Sequence, residues 1–157
     1  MKTSELFHLS RCSEESILER AMLILEDRVV KDKFMIQSPD ILRQYLKVKI
    51  GSLQHEEFHA VYLDTQNQVI DCVAVFRGTI SQTSVYPREI VKQALSYNAS
   101  AVIFAHNHPS GLVTPSEADR NITQELQKAL KLVDVRVLDH MVIAGVTAYS
   151  FAEHGLI

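Results

Sequence analysis

The stretch SAVIFAHNHPSGLVTPSEAD, residues 100–119, carries the strongest signal for the fold. Residues 100–105 are largely apolar and predict a buried strand. The sequence Pro109-Ser110-Gly111 predicts a turn directly after that strand, because all three residue types favour turn conformations. Pro115-Ser116 predicts the start of a helix that extends to about residue 132. A strand, a loop and a helix are therefore expected in direct succession.

Two histidines and an aspartate are distributed over this strand, loop and helix in the pattern H-x-H-x7-S-x-x-D. Residues two apart on a strand point to the same face, so His106 and His108 are expected to converge where the strand ends, with Asp119 in the first turn of the helix. Two imidazoles and one carboxylate suit zinc, and three protein ligands leave the open fourth position of a catalytic site. We predict one zinc ion (Zn2+) per chain, in a loop outside the core.

Each of these residues also has an ordinary interpretation. A histidine near a strand end is commonly solvated or hydrogen-bonded. Ser116 followed three residues later by Asp119 is also typical of a helix N-terminus, with a capping hydroxyl and an acid in the first turn. The joint spacing of all four residues favours the metal site over these separate explanations.

A second motif with metal-binding character lies upstream, in His55-Glu56-Glu57-Phe58-His59, which matches the H-E-x-x-H signature of zincins. The motif works on a helix, where four residues span about 6 Å, whereas on a strand they span about 13 Å, too far for one zinc ion. The residues after it, 60–64, predict a strand that enters a turn. We therefore predict that His55 and His59 do not bind metal.

Hydrophobic periodicity predicts the secondary structure of the rest of the chain. Further helices are predicted at residues 13–28, from Ser38-Pro39-Asp40 onward, and at 87–97, with a connector at 30–37. Strands are predicted at residues 58–63 and 69–76, which form a hairpin, and at 135–138, 141–144 and 149–151. This mixture of helices and hairpin strands predicts an α/β sandwich around one mixed β-sheet.

Composition narrows the class of protein. The 157 residues, 46% of them hydrophobic and 22% charged, are ordinary for one soluble globular domain. A membrane span and a signal peptide are not expected, and Cys12 and Cys72 form no C-x-x-C motif, so the cytoplasm is the expected location. The net charge of −3 gives no electrostatic footprint for nucleic acid, and the oligomeric state is not readable from the sequence.

The sequence HNHPSG, with PSEAD after it, resembles the JAMM (MPN+) zinc metalloprotease signature and, within it, the bacterial RadC branch. Further matching positions are Gly78-Thr79, Pro87-Arg88-Glu89, Asn98-Ala99, Asp139-His140 and Tyr149-Ser150-Phe151. The resemblance runs from about Ser52 to the C-terminus. It implies a single-domain MPN/JAB-like (cytidine-deaminase-like) sandwich, with a mixed sheet flanked by helices. We divide the chain into an N-terminal helical segment, residues 1–50, and a RadC-like JAMM/MPN domain, residues 51–157.

The resemblance also implies an activity. It indicates a zinc-dependent metallohydrolase, a peptidase or isopeptidase that acts on a peptide or protein substrate. A zinc hydrolase needs a carboxylate outside the metal shell as general base. Glu56 and Glu57 are the candidates and point to opposite faces of a strand, and the position two residues before Phe58 selects Glu56 by resemblance. Ser116, by the same resemblance, donates a hydrogen bond to the oxyanion.

Two other classes of function stay open. A DNA-associated or DNA-repair-related protein is suggested by the RadC family label and is not supported by the charge. The other class is a non-catalytic, zinc-binding interaction module, which keeps the fold without turnover as metal-free MPN relatives do; the complete ligand set argues against a loss of turnover.

Overall fold

The computed structural model of this protein describes residues 13–27, 39–78 and 85–157. Its elements, in chain order, are α1 (Glu14–Glu26), α2 (Pro39–Ile50), β1 (Glu56–Leu63), β2 (Val69–Gly78), α3 (Pro87–Ser96), β3 (Ala101–Asn107), α4 (Glu117–Lys131), β4 (Arg136–Ala144) and β5 (Thr147–Ser150). The connector predicted at residues 30–37 lies outside the described residues. Among the described helices, none has the length and apolarity that a membrane crossing requires.

Within the described residues, five strands form one mixed sheet in the order β2-β1-β3-β4-β5. The central strand β3 pairs antiparallel with β1 and parallel with β4, while β2 and β5 pair antiparallel with their neighbours at the two edges. The predicted α/β class, with a mixed sheet flanked by helices, is confirmed.

Helices cover both faces of the sheet, and each face has its own hydrophobic cluster. On one face, called the α2 face, helix α2 packs against alternate residues of the central strands, such as Val61 and Ile103. On the other, called the α3/α4 face, Phe58 and Phe104 pack against α3 and α4. Because side chains alternate along a strand, the register decides which face each residue of β1 and β3 reaches.

The C-terminal part of the sheet differs from the prediction. Residues 135–138 and 141–144 were expected to form separate strands, but residues 136–144 form the single strand β4. The polar residue Asp139 does not interrupt it, because its carboxylate accepts hydrogen bonds from Ser150 Oγ at 2.6 Å and from the amide of Ala152 at 2.9 Å. A polar residue inside a buried strand is tolerated when its partners are provided in this way.

The predicted division of the chain at residue 50 stays a prediction. Helix α2 precedes that boundary and contributes Leu46 and Ile50, both fully buried, to the same cluster as β1 and β3. Helix α1 contributes no buried residue, although Met22 and Leu25 pack partly against this cluster.

Candidate metal centre

Three side chains with metal-binding atoms converge where β3 ends and α4 begins. The ligand atoms of His106, His108 and Asp119 all lie within 4.8 Å of one another. Nε2 of His106 is 3.0 Å from Nε2 of His108 and 3.2 Å from Oδ1 of Asp119, and His108 Nε2 is 3.4 Å from Asp119 Oδ2. The structure thus brings together the three residues that the sequence singled out as zinc ligands.

The chemistry of these contacts fits a zinc ion. His108 Nδ1 lies 2.7 Å from the carbonyl oxygen of Leu112 and donates its proton there, so a neutral His108 has a bare lone pair on Nε2. That lone pair, the carboxylate of Asp119 and Nε2 of His106 face one another, so a cation is needed between them, either a proton or a metal ion. Tetrahedral zinc with bonds of about 2.1 Å separates its ligand atoms by about 3.4 Å, close to the spacing here.

The ligand cluster is more buried than the sequence indicated. His106 is 0% exposed and Asp119 only 1%, whereas the side chain of His108 is 13% exposed. The expectation that the ligands lie in a loop outside the core is therefore wrong for His106 and Asp119. Strand β3 extends to Asn107, past the predicted end at residue 105, because His106 pairs with both β1 and β4 and Asn107 pairs with β4.

The electrostatics of the cluster favour an ionised Asp119 carboxylate. Burial opposes ionisation of Asp119, but hydrogen bonds with His106 and His108 outweigh it and hold the pKa of Asp119 well below its usual range. The hydrogen bond with Asp119 raises the pKa of His108. Burial lowers the pKa of the neighbouring His140 well below the usual value of a histidine.

Ser116 and Asp119 also form the helix cap that was the ordinary interpretation of their spacing. Ser116 Oγ accepts a hydrogen bond from the amide of Asp119 at 3.1 Å, and Asp119 Oδ2 accepts one from the amide of Ser116 at 2.7 Å. This reciprocal capping box fixes the Asp119 carboxylate with Oδ1 toward His106. The cap and the metal site are compatible, since the Ser116 hydroxyl proton is not used in accepting this bond.

The strand register separates the two candidate glutamates. Phe58 of β1 pairs with His106 of β3, so Glu56, two residues before Phe58, points to the same sheet face as His106. Glu56 also contributes, after Asp119, to the raised pKa of His108, as a nearby negative charge does. The structure therefore places Glu56 on the same side of the sheet as the candidate ligands His106, His108 and Asp119.

Glu57 belongs to a different cluster on the α2 face. Its carboxylate lies 2.9 Å from Nε2 of His55 and 2.9 Å from Nε2 of His59, with Nε of Arg77 at 3.5 Å. Burial opposes ionisation of Glu57, but the hydrogen bonds with the two histidines lower its pKa. The negative charge of Glu57 is therefore paired with His55 and His59 and with Arg77 of the edge strand β2.

The H-E-x-x-H motif falls on β1 and on the residue just before it, not on a helix. Among the described residues, the group that could hold a metal ion is His106, His108 and Asp119, and it includes neither His55 nor His59. The strand geometry differs from that of a zincin helix, and the absence of metal binding by His55 and His59 stays a prediction.

Replacing His59 with alanine is expected to leave zinc binding unchanged and to lower stability. His59 is 1% exposed and bonded to Glu57, so its removal should cost about 2 kcal/mol of unfolding free energy through lost packing and a lost hydrogen bond. Metal analysis and thermal unfolding of the same sample measure both effects. Loss of zinc from His59→Ala, with zinc kept by His108→Ala, would restore the zincin interpretation.

Asn107 is a structural residue of the site whose partners the sequence did not reveal. Its Oδ1 accepts a hydrogen bond from the amide of Glu57 at 2.7 Å, and its Nδ2 donates to the carbonyl of His55 at 2.8 Å. Asn107 therefore points away from His106 and His108, and it ties the end of β3 to the start of β1. This bond helps to hold Glu56 in register.

Comparisons with known proteins agree with this architecture. A family model described as the RadC-like JAB domain matches residues 36–156. A UPF0758 protein of Vibrio cholerae is 51% identical over 98% of this chain and 97% of its own length, and the UPF0758 protein YkfG of Escherichia coli (strain K12) is 46% identical over 92% and 91%. A UPF0758 protein of Janthinobacterium sp. (strain Marseille) is 50% identical over 87% of this chain, which spans 62% of that relative's length.

Proposed function

Because this chain belongs to the RadC-like JAB domain family, we propose that it is a zinc-dependent metallohydrolase, a peptidase or isopeptidase that cleaves an amide bond in a peptide or protein. The observation that carries the proposal is the convergence of His106, His108 and Asp119, with Glu56 on the same face of the sheet. Three ligands and a nearby carboxylate are what a hydrolytic zinc site requires.

Each of these residues has a distinct role in the proposed reaction. His106 and His108 would hold the metal through Nε2, and Asp119 would hold it through its carboxylate. A zinc ion held there would supply Lewis acidity, for the substrate carbonyl and for lowering the pKa of the attacking water toward about 7. Glu56 accepts the proton of the attacking water and delivers it to the leaving amine.

Ser116 stabilises the oxyanion that develops during the attack. Its oxygen accepts the capping bond from Asp119, so the hydroxyl proton is left to donate to the substrate. Donors of this type typically contribute about 10²- to 10³-fold to the rate. The capping bond orients Ser116 before the substrate arrives.

Substrate capture tests the proposal directly. Glu56→Gln protein, immobilised and loaded with zinc, should retain cellular proteins that wild-type protein cleaves and releases. Captured proteins are then incubated with wild-type protein, with and without a chelator, and new termini are identified by mass spectrometry. Cleavage that requires zinc supports the proposal, and the absence of any zinc-dependent cleavage contradicts it.

The two alternative functions predict different measurements. A DNA-associated protein should bind duplex DNA with an affinity that falls steeply with salt concentration. A non-catalytic module should hold zinc and a partner without producing new termini.

Zinc retention is expected to depend on pH through His108. The pKa of His108 is raised above its usual value of about 6.5, first by Asp119, so protons compete with a metal for Nε2 even slightly above that pH. Affinity should be full well above the raised pKa and fall as the pH drops through it. Dialysis should leave one zinc per chain at about pH 8 and little at about pH 5. Equal retention at both would contradict a histidine-based site.

A further inference from the structure

We infer that Thr123 and His140 form a hydrogen-bonded relay that sets the tautomer of His106 and so positions it as a metal ligand, an inference that rests on the proposed metal centre. Thr123 lies on α4, which packs on the α3/α4 face of the sheet, and His140 lies on β4, which pairs with β3. The relay therefore connects this helix to the strand beside β3. Neither residue has a role predicted from the sequence.

The relay consists of three short contacts in series. Thr123 Oγ1 is 2.5 Å from the carbonyl oxygen of Asp119 and 2.6 Å from Nδ1 of His140. Nε2 of His140 is 2.8 Å from Nδ1 of His106. The remaining ring nitrogen of His106, Nε2, is the atom that faces His108 and Asp119. Both rings and Thr123 are buried, with 0% or 1% exposure.

Counting protons gives the relay a single direction. The carbonyl of Asp119 has no proton, so the hydroxyl of Thr123 must donate to it and has none left for His140. The contact between Thr123 and His140 is therefore made by an N–H on Nδ1 of His140. A neutral His140 then has a bare Nε2, which accepts a proton from Nδ1 of His106. His106 is left with a bare Nε2, the form in which an imidazole binds a metal.

Within the part of the chain that the structure describes, aromatic rings pack against the ring of His140 beside its contacts with Thr123 and His106. Its ring stacks on Phe151 at 4.8 Å between ring centroids and meets the ring of Phe58 edge-on at 5.3 Å. Apolar rings on these sides exclude water, so the hydrogen bonds of His140 are made to Thr123 and His106. The orientation of His106 is thereby determined by α4, which also carries Asp119.

Histidine ligands usually donate their second N–H to a carboxylate, a carbonyl or water. Here the acceptor is a neutral imidazole that is itself oriented by a hydroxyl. Thr123 consequently determines the direction of the hydrogen bonds in the relay, although it lies 17 residues away in sequence from either histidine. Thr123 and His140 act through His106 and are positioning residues.

The matched pair Thr123→Val and Thr123→Ser tests the relay, since only serine retains the hydroxyl. Two-bond proton–nitrogen NMR spectra of metal-free protein report the tautomer of His106. Wild type and Thr123→Ser should show the proton on Nδ1, and Thr123→Val should show a mixture of both tautomers. Zinc affinity, measured by competition with a chelator, should fall about 10-fold in Thr123→Val and remain near wild type in Thr123→Ser.

A proton on Nε2 of His106 in metal-free wild type would overturn the relay, as would Thr123→Val with unchanged tautomer and zinc affinity. If Thr123→Val does not fold, His140→Gln provides the second variant, because its side-chain carbonyl can accept from His106. It should keep the Nδ1 tautomer and more zinc affinity than His140→Leu, and equal affinities would count against the relay.

These readouts separate the relay from the proposed function. A tautomer that shifts in Thr123→Val, in a wild-type protein that binds no zinc, would support the relay and contradict the metallohydrolase. Zinc bound through His106, together with a tautomer that Thr123→Val does not change, would contradict the relay and support the metal site of the proposed hydrolase.

Discussion

Replacing Glu56 with glutamine is expected to lower the rate of amide hydrolysis by about 10²- to 10⁴-fold while zinc stays at one ion per chain. The glutamine side chain cannot accept the proton of the attacking water, and Glu56 is not among the proposed ligands. The register of β1 against β3 places Glu56 on the face of His106, so the effect should appear in turnover. The measurement is kcat/KM on a captured substrate together with metal analysis of the same sample.

Glu57→Gln is the matched control, since it makes the same replacement of a carboxylate by an amide one residue further along the strand. It should keep the activity of the folded protein, because Glu57 lies on the α2 face with His55 and His59. Its unfolding free energy should fall by about 1 kcal/mol, since an amide replaces the carboxylate in these bonds. Loss of activity in Glu57→Gln alone would move the general base to Glu57, and full activity in both variants would remove the proposed mechanism.

Removing one ligand is the second change with a large expected effect. His108→Ala and Asp119→Asn should each lower zinc affinity by more than about 100-fold. This follows from an apparent zinc binding energy of about 10–16 kcal/mol in four-ligand sites, which is about 3 kcal/mol per ligand. Asparagine keeps an oxygen that can accept the capping bond from Ser116, so α4 should stay intact.

The choice of His108 over His106 follows from burial. His106 is 0% exposed and lies against Phe58 and His140, so His106→Ala should leave a cavity and destabilise the fold by about 2–4 kcal/mol. Loss of zinc in that variant would not show whether His106 is a metal ligand or a residue that the fold needs. His55→Ala is the control for His108→Ala and should keep its zinc. A double variant of His108→Ala and Asp119→Asn that still holds one zinc per chain would refute the site.

The local part of the candidate site could be predicted from the sequence, because it depends on short-range geometry. Alternation on a strand brings His106 and His108 to one face, and the helix start at Ser116 brings Asp119 into the first turn. These relations hold over a few residues, whatever the strand and helix pack against. The family, too, could be recognised from these residues, and the match over residues 36–156 confirms it.

Contacts between distant segments were decided by the tertiary structure. The strand order and the antiparallel register of β1 against β3 put Glu56 rather than Glu57 on the side of His106. Pairing with strands on both sides buries His106, and the parallel neighbour β4 brings His140 against it across 34 residues of sequence. No periodicity in the chain encodes such contacts, because they arise only when β1, β3, β4 and α4 share one core and their buried polar atoms must find partners in each other.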